Sequence, residues 1–449
     1  SPCSPSRATL MTGQYVPQHR VDHNVIAPAH RELDPAITTI GHVLRRAGYY
    51  SAYIGKWHLS QAFAPDMEAY GYSDWTGNDR AFMGWAGTGY EYDPPIAEQA
   101  VAWLQEHAND TQPWFLTVAL VNPHDVMWFP IDQPDYQSAH EREVRRARRL
   151  LEFVKWKEGE VLPAFDLDYE SWFDELPPNF DDDLFDKPEV HRQWLYEQQH
   201  AHYGYIDPTD THAWLRHLDY YVKLHQLGDE NLGRVLAALD ASGGADDTVI
   251  VFTSDHGDMC GSHGLRSKGP FNYEEIMRIP LYVRVPGVTS PGSATESLTS
   301  SIDVATTLAG LGGAGDDTLA TFHGNDLAPL FTDTSATVRD HVLFAQDMAW
   351  YDRCIPTRYA SRGIFDGRNK YCRYYGVGGS TTMIGEPWPS PKLFDTDAAF
   401  EDHDHEWYDL DADPHELVNL AHDRGRRNEL RAHFDRLIEA ESAAFGAGV

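Results

Sequence analysis

Hydrophobic and polar positions switch repeatedly between helical and strand periods over the first two-thirds of the chain. Thr38–Ala47 has apolar residues at helical spacing and is followed by Gly48, a common helix stop, and Tyr49–Ile54 then has the pattern of a strand. Trp114–Val121 and Thr248–Thr253 are continuous apolar runs, as expected for strands buried on both faces. The alternation predicts an α/β domain with a mostly parallel sheet sandwiched by helices.

The pattern breaks down at two places, and these breaks predict the domain organisation. Residues from about 130 to 212 are acidic and aromatic, without a clear period, which indicates an insertion on the α/β domain. From residue 338 onward, short strands and a final helix at Arg427–Ala444 indicate a small C-terminal α+β subdomain. We therefore predict an α/β domain over residues 1–337 and a subdomain over residues 338–449.

Composition excludes some classes of partner. The formal net charge is −33, which argues against nucleic acid and anionic membranes as general partners. No run approaches eighteen consecutive apolar residues, so no membrane span is predicted. The chain starts at Ser1 with a dense motif from its third residue, and we expect its natural N-terminus to be missing. This leaves the compartment open, with the cytoplasm slightly favoured.

The densest motif is the segment CSPSRATLMTG, which begins at Cys3. Pro5 suits the first turn of a helix, and Arg7, one turn after Cys3, can reach back toward the thiol. A helix N-terminus adds backbone donors and positive potential, which suits a nucleophile that attacks an anion. The alternative interpretations are a lone cysteine beside a capped helix and a lipoprotein cysteine.

Three further groups of polar residues follow predicted strands. Lys56 and His58 lie two residues apart after the first strand, and His124 follows the Trp114–Val121 run. Strand ends in open α/β sheets are where sites form, although such residues are often structural when taken one at a time. After Thr248–Thr253 come Asp255 and His256, whose carboxylate and imidazole are suitable ligands for a metal ion, and then Lys268.

Together these four segments resemble the sulfatase family, with its Cys-x-Pro-Ser-Arg signature, Gly-Lys-x-His motif, Pro-His step and Ser-Asp-His/Asn-Gly metal block. The resemblance implies an alkaline phosphatase-like fold and oxidation of Cys3 to formylglycine, whose hydrate attacks sulfur. By the same resemblance, Lys56 and Lys268 bind the sulfate, His58 acts as the base in sulfate release and His124 helps to protonate the leaving group. Arg7 contributes positive charge.

The resemblance also implies one divalent metal ion, held by Asp255, His256 and the modified Cys3. Ca²⁺ is expected from the family, and Mn²⁺ is possible because imidazole is a poor calcium ligand. The family places two adjacent aspartate ligands on a first strand ahead of the Cys motif, and this sequence lacks that strand. We therefore expect this chain to hold at most half of the protein's metal ligands and to be poorly active by itself.

The implied activity is hydrolysis of a small sulfate monoester, with a formylglycine-generating enzyme as the maturation partner. The main alternative is a phosphonate monoester or phosphodiester hydrolase of the same superfamily, toward which His256 leans slightly. A non-enzymatic, anion-binding homologue is the third possibility, and the intact set of catalytic residues argues against it.

Overall fold

Helices and strands alternate along the chain, which the computed structural model describes over residues 2–26, 30–153, 164, 167–197, 203–315, 319, 321–347, 358–376 and 398–446. The helices are α1 (Cys3–Thr12), α2 (Val16–His19), α3 (Ile40–Arg46), α4 (Asp79–Phe82), α5 (Thr88–His107), α6 (Pro134–Ala139), α7 (Glu141–Phe153), α8 (Glu189–Glu197), α9 (Thr211–Ser242), α10 (Glu274–Met277), α11 (Ile302–Leu311), α12 (Ala328–Thr332) and α13 (Arg427–Phe445). The strands are β1 (Tyr50–Gly55), β2 (Trp114–Ala119), β3 (Ile250–Thr253), β4 (Leu281–Arg284), β5 (Val342–Gln346), β6 (Ala360–Phe365), β7 (Asn369–Tyr375) and β8 (Asp404–Asp409).

Strands β1 and β2 are parallel neighbours between two layers of helices. Their register runs from Tyr50 opposite Trp114 to Gly55 opposite Ala119, so both strands end at the same edge. One layer packs α3 and α11 under β1, and the other packs α5 and α9 against β1 and β2. Because parallel strands expose their carboxyl ends together, the loops after β1 and β2 meet in one place.

Strands β3 and β4 form a separate antiparallel pair, and here the prediction of doubly buried strands is wrong in detail. Phe252 in β3 and Tyr282 in β4 face each other, and both rings are exposed to solvent. All six residues of β2 are only half-buried. The reason is pairing, because among the described residues β2 pairs only with β1, and β3 only with β4.

The C-terminal part forms a four-stranded antiparallel sheet in the order β5-β6-β7-β8. Its two inner strands are almost entirely buried, and α13 packs on the sheet through Phe434 and Leu437. The domain boundary at residue 338 and the insertion at about 130–212, which contains α6, α7 and α8, stay predictions. Within the described ranges, no helix combines the length and the apolar character that a membrane crossing requires.

Candidate active site

Cys3 is the first residue of α1 and is completely buried. The next residue fixes this helix start in two directions. The Ser4 backbone N–H donates to Asn24 Oδ1 at 3.0 Å, and the Ser4 hydroxyl donates to the carbonyl of His58 at 2.7 Å. The start of α1 is thereby tied to the loop that follows β1.

Arg7 lies one turn further along α1 and organises the same loop. Its Nε donates to the carbonyl of Trp57 at 2.9 Å, and its Nη2 donates to the Tyr53 hydroxyl at 2.6 Å and to the carbonyl of Lys56. Its Nη1 also lies 3.9 Å from Asp255 Oδ2. Arg7 therefore connects the loop after β1 to the loop after β3. Its hydrogen bonds go to Tyr53 and to backbone carbonyls that support the site.

Lys56 and His58 follow β1, and both side chains are buried. The carboxylate of Asp79 accepts the backbone N–H groups of Trp57 and His58 at 2.9 Å, which holds His58 in a left-handed conformation with φ of 57°. Burial lowers the pKa of His58 to about 4, although the nearby Cys3 opposes this shift. His58 is therefore neutral at neutral pH and able to accept a proton.

His124 follows β2 and begins a short 3₁₀ turn that runs to Trp128. Gly84 packs directly on its imidazole, since a Cβ at residue 84 would lie 2.3 Å from His124 Cε1. Burial and then the charges of Lys268 and Lys56 hold the pKa of His124 well below its ordinary value. Asp125 is turned away from this site, because its Oδ2 accepts the Tyr90 backbone N–H at 3.1 Å.

Asp255 and His256 follow β3 and face Cys3. His256 Nε2 lies 3.1 Å from Cys3 Sγ, while its Nδ1 lies 2.7 Å from the carbonyl oxygen of Gly257. A carbonyl can only accept, so Nδ1 carries the proton and the Nε2 lone pair points at Cys3. The candidate ligand atoms of Cys3, Asp255 and His256 all lie within 4.8 Å of one another.

Lys268 reaches the site from a loop that is closed by Asp258. The Asp258 carboxylate accepts the backbone N–H groups of Cys260 and Ser267, both at 3.0 Å. The ammonium of Lys268 is buried and lies 3.5 Å from Met127 Sδ.

The neighbouring Arg266 connects the Lys268 loop to more distant segments. Its guanidinium donates to the carbonyls of Phe129 and Gly204, and the bond to Gly204 measures 2.7 Å. The loop of Lys268 is therefore fixed against both ends of the segment between residues 129 and 204.

The site concentrates positive charge at Cys3. Burial alone would raise the pKa of the Cys3 thiol, but the charges of Lys268 and Lys56 hold it well below its ordinary value. A position that stabilises a thiolate in this way also suits an anionic substrate.

The predicted site residues thus come together from α1 and the loops after β1, β2 and β3. His263, which lies between His256 and Lys268 in the sequence, does not join them, since its Nδ1 pairs with Asp182 at 2.7 Å and its ring stacks on Tyr273. Sequence reasoning missed two supporting residues, Tyr53 and Asp79. Both act on backbone atoms of the Lys56–His58 loop, and no local motif indicates this role.

A comparison with protein-family models identifies the class of this protein. Residues 1–314 match the Sulfatase family, and residues 261–384 match the C-terminal region of N-sulphoglucosamine sulphohydrolase. The chain therefore belongs to the sulfatase family, whose members generally use a bound metal ion and a formylglycine.

Two curated relatives are sulfatases. The chain is 27% identical over 310 residues to an uncharacterized sulfatase, YidJ, of Escherichia coli, covering 63% of this chain and 53% of that protein. It is 30% identical over 342 residues to the choline-sulfatase of Rhizobium meliloti, covering 69% of this chain and 58% of that protein. The chain spans a little over half the length of these relatives.

Solved structures confirm the predicted fold class. A protein in complex with its substrate D-glucosamine-2-N,6-O-disulfate superposes with a TM-score of 0.69 at 19% identity, covering 100% of this chain and 89% of that one. The phosphonate monoester hydrolase of Silicibacter pomeroyi superposes with a TM-score of 0.67 at 20% identity, covering 100% and 87%. This is the alkaline phosphatase-like α/β architecture.

Proposed function

We propose that the protein hydrolyses a small sulfate monoester at Cys3, after a formylglycine-generating enzyme has converted Cys3 to formylglycine. The observation that carries this proposal is the cluster of buried cations at Cys3, where Lys56 and Lys268 both stabilise negative charge. A sulfate ester gains negative charge on its leaving oxygen during cleavage, and preorganised cations stabilise that charge. The hydrated formylglycine supplies the nucleophilic oxygen.

The other residues divide the work of positioning and proton transfer. Arg7 holds the Lys56 loop in place through the Trp57 and Lys56 carbonyls. His58, neutral because of its burial, is the base on the nucleophile side. His124 lies beside Lys268 and is neutral in the free protein, and it helps to protonate the leaving oxygen once the negative charge of the bound ester offsets the two lysines.

Asp255 and His256 are the residues that would hold a divalent metal ion. The His256 Nε2 lone pair and the Asp255 carboxylate face the same point beside Cys3, so the donor set fits such an ion. When bound, the metal would neutralise the oxygens of the ester. Ca²⁺ is the choice that the family favours, while the imidazole favours Mn²⁺.

We also propose that a further strand, which carries the remaining metal ligands, completes the core of the whole protein. In support, the apolar strands β2 and β3 are half-exposed, and each has only one partner among the described residues. A form of the protein that contains this strand is then expected to bind metal more tightly than this chain and to turn over faster. Strong metal-dependent turnover by the 449-residue chain alone would contradict this proposal.

A second candidate function is hydrolysis of phosphonate monoesters or phosphodiesters. The fold likeness to the Silicibacter pomeroyi phosphonate monoester hydrolase supports it, together with His256 at a position where many sulfatases have asparagine. The cation cluster at Cys3 would serve either ester, so the geometry of this cluster does not separate the two reactions.

The deciding experiment compares rates on matched substrates. The protein is co-expressed with a formylglycine-generating enzyme, supplied with Mn²⁺ or Ca²⁺ in turn, and assayed on an aryl sulfate, an aryl phosphonate and an aryl phosphodiester. A clear preference for the sulfate supports the sulfatase function. A preference for the phosphorus esters would move the protein to the phosphonate hydrolase branch, and a Cys3 that stays a thiol after co-expression would favour a non-enzymatic role.

A further inference from the structure

A buried ion cluster joins the C-terminal sheet to the catalytic core. Lys370 of β7 is 1% exposed, and its ammonium lies 2.6 Å from a carboxylate oxygen of Glu416 and 3.0 Å from one of Glu274. Glu274 is the first residue of α10, and Glu416 lies in the segment after β8. The two carboxylates approach each other only because the Lys370 cation lies between them.

Glu416 also holds α10 directly. Its second carboxylate oxygen accepts the Glu274 backbone N–H at 2.8 Å, at the start of α10. Glu416 itself has a positive φ of 55°, an unusual backbone conformation for a residue other than glycine. Because α10 has only four residues, it is too short to be stable without such external contacts.

The loop that carries the candidate metal ligands Asp255 and His256, called the metal-ligand loop below, packs against α10. The backbone N–H of Gly257 donates to the carbonyl of Ile276 at 2.9 Å. Contact at this point is so close that a Cβ on residue 257 would lie 1.8 Å from the carbonyl oxygen of Glu275. Gly257 directly follows His256 and accepts its Nδ1–H, so a shift of α10 would shift the candidate metal ligands.

We propose that Glu416 is a positioning residue for Asp255 and His256, acting through the amide of Glu274, the helix α10 and the amide of Gly257. This rests on the proposed function insofar as Asp255 and His256 are metal ligands. The chain of contacts runs from the C-terminal subdomain to the active site without passing through any group that touches substrate. The metal-ligand loop is thus held by a carboxylate more than 150 residues away in sequence.

The test compares two variants that each remove one buried carboxylate partnered by a cation. Glu416→Ala removes the hydrogen bond to α10. Glu441→Ala is the control, because the Glu441 carboxylate lies 2.6 Å from Arg373 and makes no hydrogen bond or ion pair with α10 among the described residues. Hydrogen–deuterium exchange is then measured for a peptide that contains Gly257. We expect exchange to be at least about ten-fold faster in Glu416→Ala than in Glu441→Ala at matched stability. Equal exchange in the two variants would overturn the proposal.

A rescue variant and a metal measurement complete the test. In Lys370→Met/Glu416→Gln the amide oxygen can still accept the Glu274 N–H, so protection of Gly257 should return toward the wild-type level, and failure to return would contradict the role of this bond. Binding of Mn²⁺ is measured by the decrease of the paramagnetic resonance signal of the free ion. The affinity should weaken by about ten-fold or more in Glu416→Ala and stay unchanged in Glu441→Ala. If the wild-type chain binds no Mn²⁺, as its incomplete ligand set allows, the exchange result alone decides the link between Glu416 and the loop.

Discussion

Two groups of buried cations differ in how they are neutralised. In the C-terminal sheet, Lys370 and Arg373 each have a carboxylate within 2.6 Å, and Arg362 is paired with Asp347. Around Cys3, Lys268 has only the Met127 sulfur as its described hydrogen-bond partner, and Lys56 has no carboxylate at ion-pair distance among the described residues. Burial opposes the positive charge of both groups, but only in the first group do adjacent carboxylates offset this cost.

The direction of the pKa shifts expresses this difference. Burial would lower the pKa of Lys370, but Glu416 and Glu274 raise it above its ordinary value. The pKa of Lys56 is lowered, mainly by burial, in spite of Cys3 and Asp255 nearby. A buried cation without a partner is costly, and it is typically retained where an anion binds. We therefore infer that the paired group stabilises the fold and propose that the unpaired group binds the substrate.

The largest expected effect tests the paired group. Lys370→Met would leave the carboxylates of Glu274 and Glu416 facing each other in a buried site, and we expect a loss of about 3–5 kcal/mol in the free energy of unfolding, measured by urea titration. The control Arg368→Met breaks an exposed ion pair with Asp409 in the same sheet and should cost less than about 1 kcal/mol. Equal costs for the two variants would remove the distinction.

The unpaired group is tested by activity. Lys268→Ala should lower kcat/KM by about 10²–10³-fold, because one charge-stabilising group is lost, while the melting temperature stays the same or rises. Inorganic sulfate should raise the melting temperature of the wild-type protein more than that of the variant. Lys223→Ala on α9 serves as the control for removal of a lysine. Near wild-type turnover by Lys268→Ala would refute the assignment of Lys268 to the site.

The third prediction, of intermediate size, concerns the pH dependence of stability that is due to His19, a buried and neutral histidine. Burial lowers the pKa of His19 to about 3, and its Nδ1 accepts the Val21 N–H at 3.1 Å. The unfolded chain takes up a proton at His19 below its ordinary pKa of about 6.5, and the folded protein does not. Stability is therefore lost as pH falls from about 6.5 toward 3.

Between pH 7 and pH 5 the contribution of His19 to this loss should be about 2 kcal/mol. His19→Asn keeps an acceptor for the Val21 N–H and should reduce the pH dependence by that amount, as measured by urea unfolding at both values. Parallel pH profiles for the wild-type protein and the variant would show that His19 is not buried in its neutral form.

The smallest expected effect concerns the antiparallel pair of β3 and β4, which is exposed to solvent on one face. Tyr282 is 69% exposed, so Tyr282→Thr should change the free energy of unfolding by less than about 0.5 kcal/mol. Tyr371→Thr, at a fully buried position of β7, should cost about 3 kcal/mol or more in the same urea experiment. A cost of several kcal/mol for Tyr282→Thr would show that a further segment covers this face.

Much of the fold could be predicted from local patterns. The helix predicted at Thr38–Ala47 is found at Ile40–Arg46, and the strand predicted at Tyr49–Ile54 is found at Tyr50–Gly55. The antiparallel pairing of β3 with β4 and the half-exposure of β2 were not predicted. An apolar run shows that a strand is suited to burial. Which strands pair with it, and how much of it is buried, depends on segments that are distant in the sequence.

The sequence by itself predicted a nucleophile at Cys3 and determined the types of charged residue after the strands and the family to which the chain belongs. Only the tertiary structure decided that Arg7 braces the Lys56 loop, that His263 is turned toward Asp182 and that Glu416 accepts the backbone N–H of Glu274. The physical reason is that a side chain's charge is a property of one residue, while its partner and its burial depend on segments that meet only in the folded chain.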